Sequence, residues 1–323
     1  MVRLRRPRET RARVLAIVNP HASAVDPDLR ELVTAALAGR YELSVRDTAR
    51  RGHATDLARE AVQEGFALVV TVGGDGTAGE AAGGLAGTDL PLFPMPAGSQ
   101  NVYAKLLGIP DDIVDATSLL LAVDGAIPAR RVDLGTVNDR VFAFCAGAGI
   151  DADTVEQVDA RPERKARWRE WYYMATVGRV AAARYLRRPP MLEVSAADQS
   201  VRGITVLIQN GPSYTYAGDR PIEACDNVRL DDGRLSAAVL LRKPTGLPTV
   251  ALRLYSRRLK APHHRAITTL DHVEAVRVVP QGAGDFAIQA DGDFIGRFEE
   301  ARFGILPGAL KVFDVAQADG VTR

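Results

Sequence analysis

Ala67-Leu68-Val69-Val70-Thr71-Val72-Gly73-Gly74-Asp75-Gly76-Thr77 is the stretch that decides the fold. Residues 67–72 are a short apolar run rich in β-branched side chains, which reads as a buried strand. From Thr77 to residue 85 the sequence suits a helix, so the glycines sit at a strand-to-helix junction. Without Cβ atoms, successive glycines let backbone come close to a bound phosphate. The helix N-terminus adds amide donors and a dipole that favours an anion. Asp75 is placed either to orient a phosphate-bound Mg2+ through water or to brace the loop. A Gly-Lys-Ser/Thr ending is missing, so this nucleotide loop is not the usual P-loop.

The same alternation extends outward in both directions. Residues 14–18 read as a strand ending in Asn19-Pro20, followed by a helix over 28–37, a strand over 41–45 and a helix over 53–63. Downstream come a strand over 91–95 and a helix over 101–107. Such β-α alternation implies a mostly parallel sheet covered by helices. Ligands of these sheets bind beyond the carboxyl ends of the strands. Two more junctions face that edge: Asn19-Pro20-His21-Ala22-Ser23, and Pro96-Ala97-Gly98-Ser99-Gln100-Asn101, where Ser99 can donate to a phosphate oxygen.

After Pro128 the pattern changes. Residues 132–137 and 140–145 flank Asn138-Asp139, a hairpin turn signal. A helix over 163–186 stops at Pro189-Pro190, and residues 191–196, 201–209, 234–241, 273–279 and 286–290 read as mostly antiparallel strands. The expectation is an α/β protein of two domains with an active site in the cleft between them. The first is a nucleotide-binding α/β domain over 1–128 and the second a β-rich domain over 129–304. Residues 309–315 are one more strand, able to return to either domain, so that 305–323 can complete the first.

Composition excludes several classes. A net charge of +1 argues against bulk nucleic-acid binding. The two cysteines, Cys145 and Cys225, lack metal-ligand spacing and point to a reducing compartment. No run approaches the roughly 20 apolar residues that span a bilayer. A cytoplasmic protein is expected, with any membrane contact peripheral. Two basic segments, Arg164 to Tyr173 and Arg253 to Arg265, either meet anionic head groups or are solvated helix surface. His263 and His264 have no neighbouring acidic or cysteine partner in sequence that suggests a metal.

At this point the chain resembles the diacylglycerol kinase catalytic family, which includes sphingosine, ceramide and bacterial lipid kinases. The likeness runs from Asn19-Pro20 through Thr48-Ala49-Arg50-Arg51-Gly52-His53-Ala54 to the Gly-Gly-Asp-Gly-Thr loop. Gly98-Ser99-Gln100-Asn101-Val102-Tyr103-Ala104 resembles the family's Gly-Thr-x-Asn-Asp-Phe-Ala box. Asp133-Leu134-Gly135, the glycine-rich 144–151 segment, Asp231-Asp232-Gly233-Arg234-Leu235 and Asp291-Gly292-Asp293 are similar to its later elements.

The resemblance implies ATP with Mg2+ and a lipid acceptor at the inner face of the membrane, diacylglycerol being the family default. It implies an ATP site lined by Asn19, Pro20, His21, Ala22, Ser23, Thr48, Gly73, Gly74, Asp75, Gly76, Thr77, Ala78, Gly79, Ser99 and Asn101. Asp291 and Asp293 would supply carboxylates near the transferred phosphate, one acting as general base, with Asp133 supporting it. Asp232, with carbonyls near Arg229 and Arg234, is similar to a structural Mg2+ site of bacterial members. Whether two chains pair is left open. Four positions depart from the family pattern: Ser99 for Thr, Val102 for Asp, Gly79 for Asn and Asp293 for Glu. The alternatives are a kinase of a soluble substrate such as NAD, and a nucleotide- or lipid-binding homologue without catalysis.

Overall fold

In a computed structural model, residues 11–22, 27–160, 175–185, 190–242, 249–250, 253 and 261–319 are described. Ser23 and the basic segment Arg164 to Tyr173 lie outside them, as does most of the stretch between Arg253 and Arg265.

Short apolar runs and amphipathic segments alternate in the first part: β1 (Arg13–Val18), α1 (Pro27–Arg40), β2 (Glu42–Asp47), α2 (His53–Gln63), β3 (Leu68–Gly73), α3 (Asp75–Leu85), β4 (Leu92–Pro96), α4 (Val102–Leu106) and α5 (Ile113–Leu121). β1 pairs in parallel with β2 and β3, and β3 with β4. Leu15, Ile17, Leu68, Val70, Leu92 and Phe93 are all fully buried in this sheet, as expected where helices cover both faces of a parallel sheet. α5 was not expected from the sequence. Asp112 caps it, its carboxylate accepting from Val114 N (2.8 Å) and Asp115 N (3.2 Å), an N-cap followed by an apolar run.

The second part is built from β5 (Ala129–Val137), β6 (Arg140–Phe142), β7 (Cys145–Gly149), α6 (Ile150–Asp159), β8 (Leu192–Ala196), β9 (Gln199–Gly203), β10 (Thr205–Gln209), β11 (Thr215–Ala217), β12 (Arg220–Ile222), β13 (Leu235–Leu240), β14 (Ile267–Val273), β15 (Ala275–Pro280), β16 (Phe286–Ala290), β17 (Asp293–Phe298) and β18 (Ala301–Phe313). A short helix, α7 (Val315–Asp319), follows. The antiparallel order β14-β13-β10-β7-β16-β17 forms a six-stranded sheet.

Where one long strand was expected over 201–209, Gly203 and Thr205 belong to different sheets. A Cβ on Gly203 would lie 2.6 Å from Leu240 O, so only glycine lets the chain cross there. The expected strand over 273–279 likewise divides into β14 and β15, which lie in different sheets. Of the expected helix over 163–186, the described residues 175–185 are helical, ending in a π-helical turn, Ala181–Tyr185.

β18 ties the two parts together. Its first half pairs with β15, β5 runs antiparallel along both halves, and its end lies beside β4. Phe303 accordingly belongs to the core of the antiparallel strands, whereas Leu310, Val312 and Phe313 belong to the core of the parallel sheet. Phe313 meets Phe93 edge-on, with ring centroids 5.2 Å apart.

Candidate active site

The carboxyl ends of β1, β3 and β4 bring their loops together. Asn19 N donates to Val72 O (2.9 Å), and Asn19 Nδ2 reaches Thr77 Oγ1 (3.4 Å). Asn19 also organises its own turn, its Oδ1 accepting from His21 N (2.9 Å) and its carbonyl from Ala22 N (3.0 Å), with Pro20 exposed between. Thr48 N donates to Val18 O (2.8 Å), setting that residue at the same edge.

Close approaches account for the glycines. A Cβ on Gly73 would fall 2.6 Å from Thr77 Oγ1, and one on Gly98 would fall 2.4 Å from the Cα of Gly74. Two loops are therefore in backbone contact, with Ser99 exposed beside them. Asn101, at φ 52°, closes the second loop by accepting from Gly98 N (2.8 Å). α3 begins at Asp75, and both Thr77 N and Ala78 N donate to Gly74 O. The first N–H groups of such a helix have no carbonyl within it.

Asp75 braces. Its Oδ1 accepts from Tyr103 N (2.9 Å), at the first turn of α4. Burial holds its carboxyl above the usual range, while the amides of Tyr103 and Val102 pull it back. Val102 itself is buried, so the side chain standing where the family carries an aspartate packs into the core.

Across from α3 stands the β16–β17 hairpin. Asp291 (φ 49°) and Gly292 (φ 81°) are both left-handed, the pattern of a two-residue type I′ turn. A Cβ on Gly76 would lie 3.0 Å from Asp293 Oδ2, and one on Gly79 would lie 3.0 Å from Asp291 Oδ2. The glycine face of α3 thus makes the room these two carboxylates occupy.

The two carboxylates have different surroundings. Asp291 Oδ2 accepts from Ala143 N (2.6 Å), and Oδ1 from Phe144 N (3.0 Å) and Cys145 N (3.1 Å). Those amides are turned to Asp291, and the strand expected over 140–145 is broken there into β6 and β7. Burial pushes the Asp291 carboxyl up to about 7, against the pull of its three amides, and Asp75 adds to the rise. The Asp293 side chain is 36% exposed and its Oδ1 lies 3.2 Å from Arg51 NH2. The same guanidinium is 3.8 Å from Asp159, whose Oδ2 accepts from Phe294 N (3.1 Å).

Arg51 is a residue whose role the sequence left unread. Glu80 of α3 anchors its loop, accepting from Gly52 N (2.7 Å) and Ala54 N (3.3 Å). The signal was Glu80 on the helix after the glycine loop, but its target lies in a different segment.

A profile of the diacylglycerol kinase catalytic domain matches residues 13–137. A diacylglycerol kinase of Mycobacterium tuberculosis is 31% identical over 269 residues, covering 80% of each chain. The chain belongs to the diacylglycerol kinase family of lipid kinases. A Pseudomonas aeruginosa protein named "Probable lipid kinase YegS-like" is 29% identical over 90% of each chain. The crystal structure of a diacylglycerol kinase from Bacillus anthracis shares the fold, with a TM-score of 0.68 and 21% identity, over 94% of this chain and 97% of that one.

In this family member Asp133 holds backbone. It is 2% exposed, and its oxygens accept from Gly233 N (2.6 Å) and Gly308 N (2.7 Å). Both carboxylate oxygens therefore hold backbone: the 231–234 turn and the bulge of β18. Asp232 Oδ1 accepts from Arg234 N (3.0 Å), and its Oδ2 lies 3.7 Å from His272 Nδ1. The side chains of Arg229 and Arg234 pair with Asp231 and Glu274. Among the described residues, no three His, Cys, Asp or Glu side chains converge as a metal-ligand set. Mg2+ is commonly held by one or two carboxylates with waters completing its shell, and Asp232 is the one carboxylate the expected site would use. No helix among the described residues is long and apolar enough to cross a membrane.

Proposed function

We propose that this lipid kinase uses MgATP and transfers the γ-phosphoryl group to a lipid hydroxyl, with diacylglycerol as the acceptor. The observation that carries the proposal is the approach of Asp293 to the first turn of α3, beside the backbone-packed glycine loops. ATP phosphates lie against the 73–79 turn, with Asn19 to Ala22, Thr48, Ser99 and Asn101 around them. Mg2+ travels with ATP as the substrate complex.

Asp293 is the better placed base, because it is partly open to solvent whereas both oxygens of Asp291 are committed to backbone amides. The lipid hydroxyl oxygen attacks the γ-phosphorus, its proton passes to Asp293, and the bond from that phosphorus to the β–γ bridging oxygen breaks to release ADP. Catalysis of this reaction is chiefly positioning and charge stabilisation. The α3 amides and Arg51 supply positive potential at the transferred group. Asp291 and Asp133 support the site by holding backbone. The lipid approaches from the bilayer surface, the protein binding peripherally.

The test is transfer from radiolabelled ATP across a panel of diacylglycerol, sphingoid base, ceramide, phosphatidylglycerol and NAD. Labelled phosphatidic acid is the expected product. Transfer to NAD alone, or nucleotide binding with no transfer, would overturn the proposal.

A further inference from the structure

We infer that Gln289 is a positioning residue for the Asp291-Gly292-Asp293 turn, acting through a buried polar trio with Asp151 and Tyr214. The inference rests on the assignment of Asp293 as the base. Gln289 is 2% exposed in β16, two residues before the turn. A buried primary amide is costly unless its donors and acceptor are matched. Here they are. Its Oε1 accepts from Gly292 N (2.9 Å), the central amide of the turn, and its Nε2 donates to Asp151 Oδ2 (2.9 Å) and to Tyr214 Oη. Tyr214 Oη in turn donates to the same Asp151 oxygen (2.7 Å).

The space for this trio is built into β7. Gly147 pairs with Gln289 across the sheet. A Cβ on Gly147 would stand 2.7 Å from Asp151 Oδ2, 2.9 Å from Tyr214 Oη and 3.1 Å from Gln289 Nε2. The start of α6, the loop before β11 and the central strands of the six-stranded sheet all reach the turn through one amide. Asp291 fixes the turn from the α3 side through Ala143, Phe144 and Cys145, and Gln289 fixes it from the opposite end through Gly292. Between those anchors, the Asp293 side chain is left facing Gly76 and Arg51. A base misplaced by about 1 Å costs roughly 10²-fold in rate, so a second anchor has kinetic consequences.

The experiment compares Gln289→Met, Tyr214→Phe and, as a stability control in the same strand, Phe286→Leu. Transfer from MgATP to 1,2-dioleoylglycerol in mixed micelles is measured well below each melting temperature, or to whichever acceptor the lipid panel identifies. Gln289→Met is expected to lower kcat about 10–100-fold with the KM for ATP unchanged. Tyr214→Phe, which leaves the Gly292 bond intact, should lose less, and Phe286→Leu should keep the wild-type kcat. The deciding measurement is the double variant. Gln289→Met added to Asp293→Asn should cost little further, because a residue acting through Asp293 has nothing left to position. Additive losses, a wild-type kcat in Gln289→Met, or an equal kcat loss in Phe286→Leu would each overturn the inference. Wild-type turnover in Asp293→Asn would instead refute the base assignment itself.

Discussion

Replacing the two turn carboxylates one at a time separates holding the site from running it. In Asp291→Asn the remaining carbonyl can still accept from Phe144 N and Cys145 N, the partners of Oδ1. The new amide nitrogen then faces Ala143 N where Oδ2 had accepted at 2.6 Å, setting donor against donor in a buried place. An unsatisfied buried donor costs about 1–3 kcal/mol, which lowers the melting temperature by several degrees. Asp293→Asn removes an ion pair whose side chains are 36% and 62% exposed, worth at most about 1 kcal/mol, so the melting temperature should barely move. Its turnover should instead fall by ~10²–10⁴-fold, the usual contribution of a positioned base. Thermal melts and ATP titrations alongside the lipid assay read both effects. Wild-type turnover in Asp293→Asn, or a larger kcat loss and no stability loss in Asp291→Asn, would show the two roles to be reversed or misplaced.

The pH dependence of stability follows from the same residue. The folded-state pKa of Asp291, about 7, lies above the unfolded value near 3.9, so its contribution is fully present below about pH 4 and lost as pH rises through about 7; denaturant melts should show this slope in the wild type and a flatter one in Asp291→Asn. Gly98→Ala would put a Cβ 2.4 Å from the Gly74 Cα, backbone that cannot rotate away. Equilibrium binding should show ATP affinity reduced at least about tenfold as the two loops spread. Arg51→Gln should lower kcat about 10²-fold, the scale of losing one charge-stabilising donor, with stability changed by less than about 1 kcal/mol; a kcat within twofold of wild type would leave Arg51 as a surface ion pair only.

The sequence by itself determined the parallel half of the fold and the place of the loops at its carboxyl edge. Those features are local: an apolar run, then a loop of small or polar residues, then a helix, repeated after Val18, Val72 and Met95. The glycine motifs also pointed to the edge where the loops meet, since backbone can approach a phosphate only where side chains are missing. The resemblance in Asp291-Gly292-Asp293 marked the carboxylates but not their different surroundings. Those surroundings depend on which amides each oxygen meets, and the amides belong to Ala143, Phe144 and Cys145, far away in the chain. Asp133 sits in an equally recognisable Asp-x-Gly, yet the β18 bulge at Gly308 and the turn at Gly233 take both its oxygens. Arg51 reached Asp293, and Gln289 reached Gly292, through the packing of α3 against the hairpin and the space above Gly147. Secondary structure is written in neighbouring residues. The partner of a buried carboxylate or amide is chosen by segments far apart in the chain, and only the tertiary structure decided which ones meet.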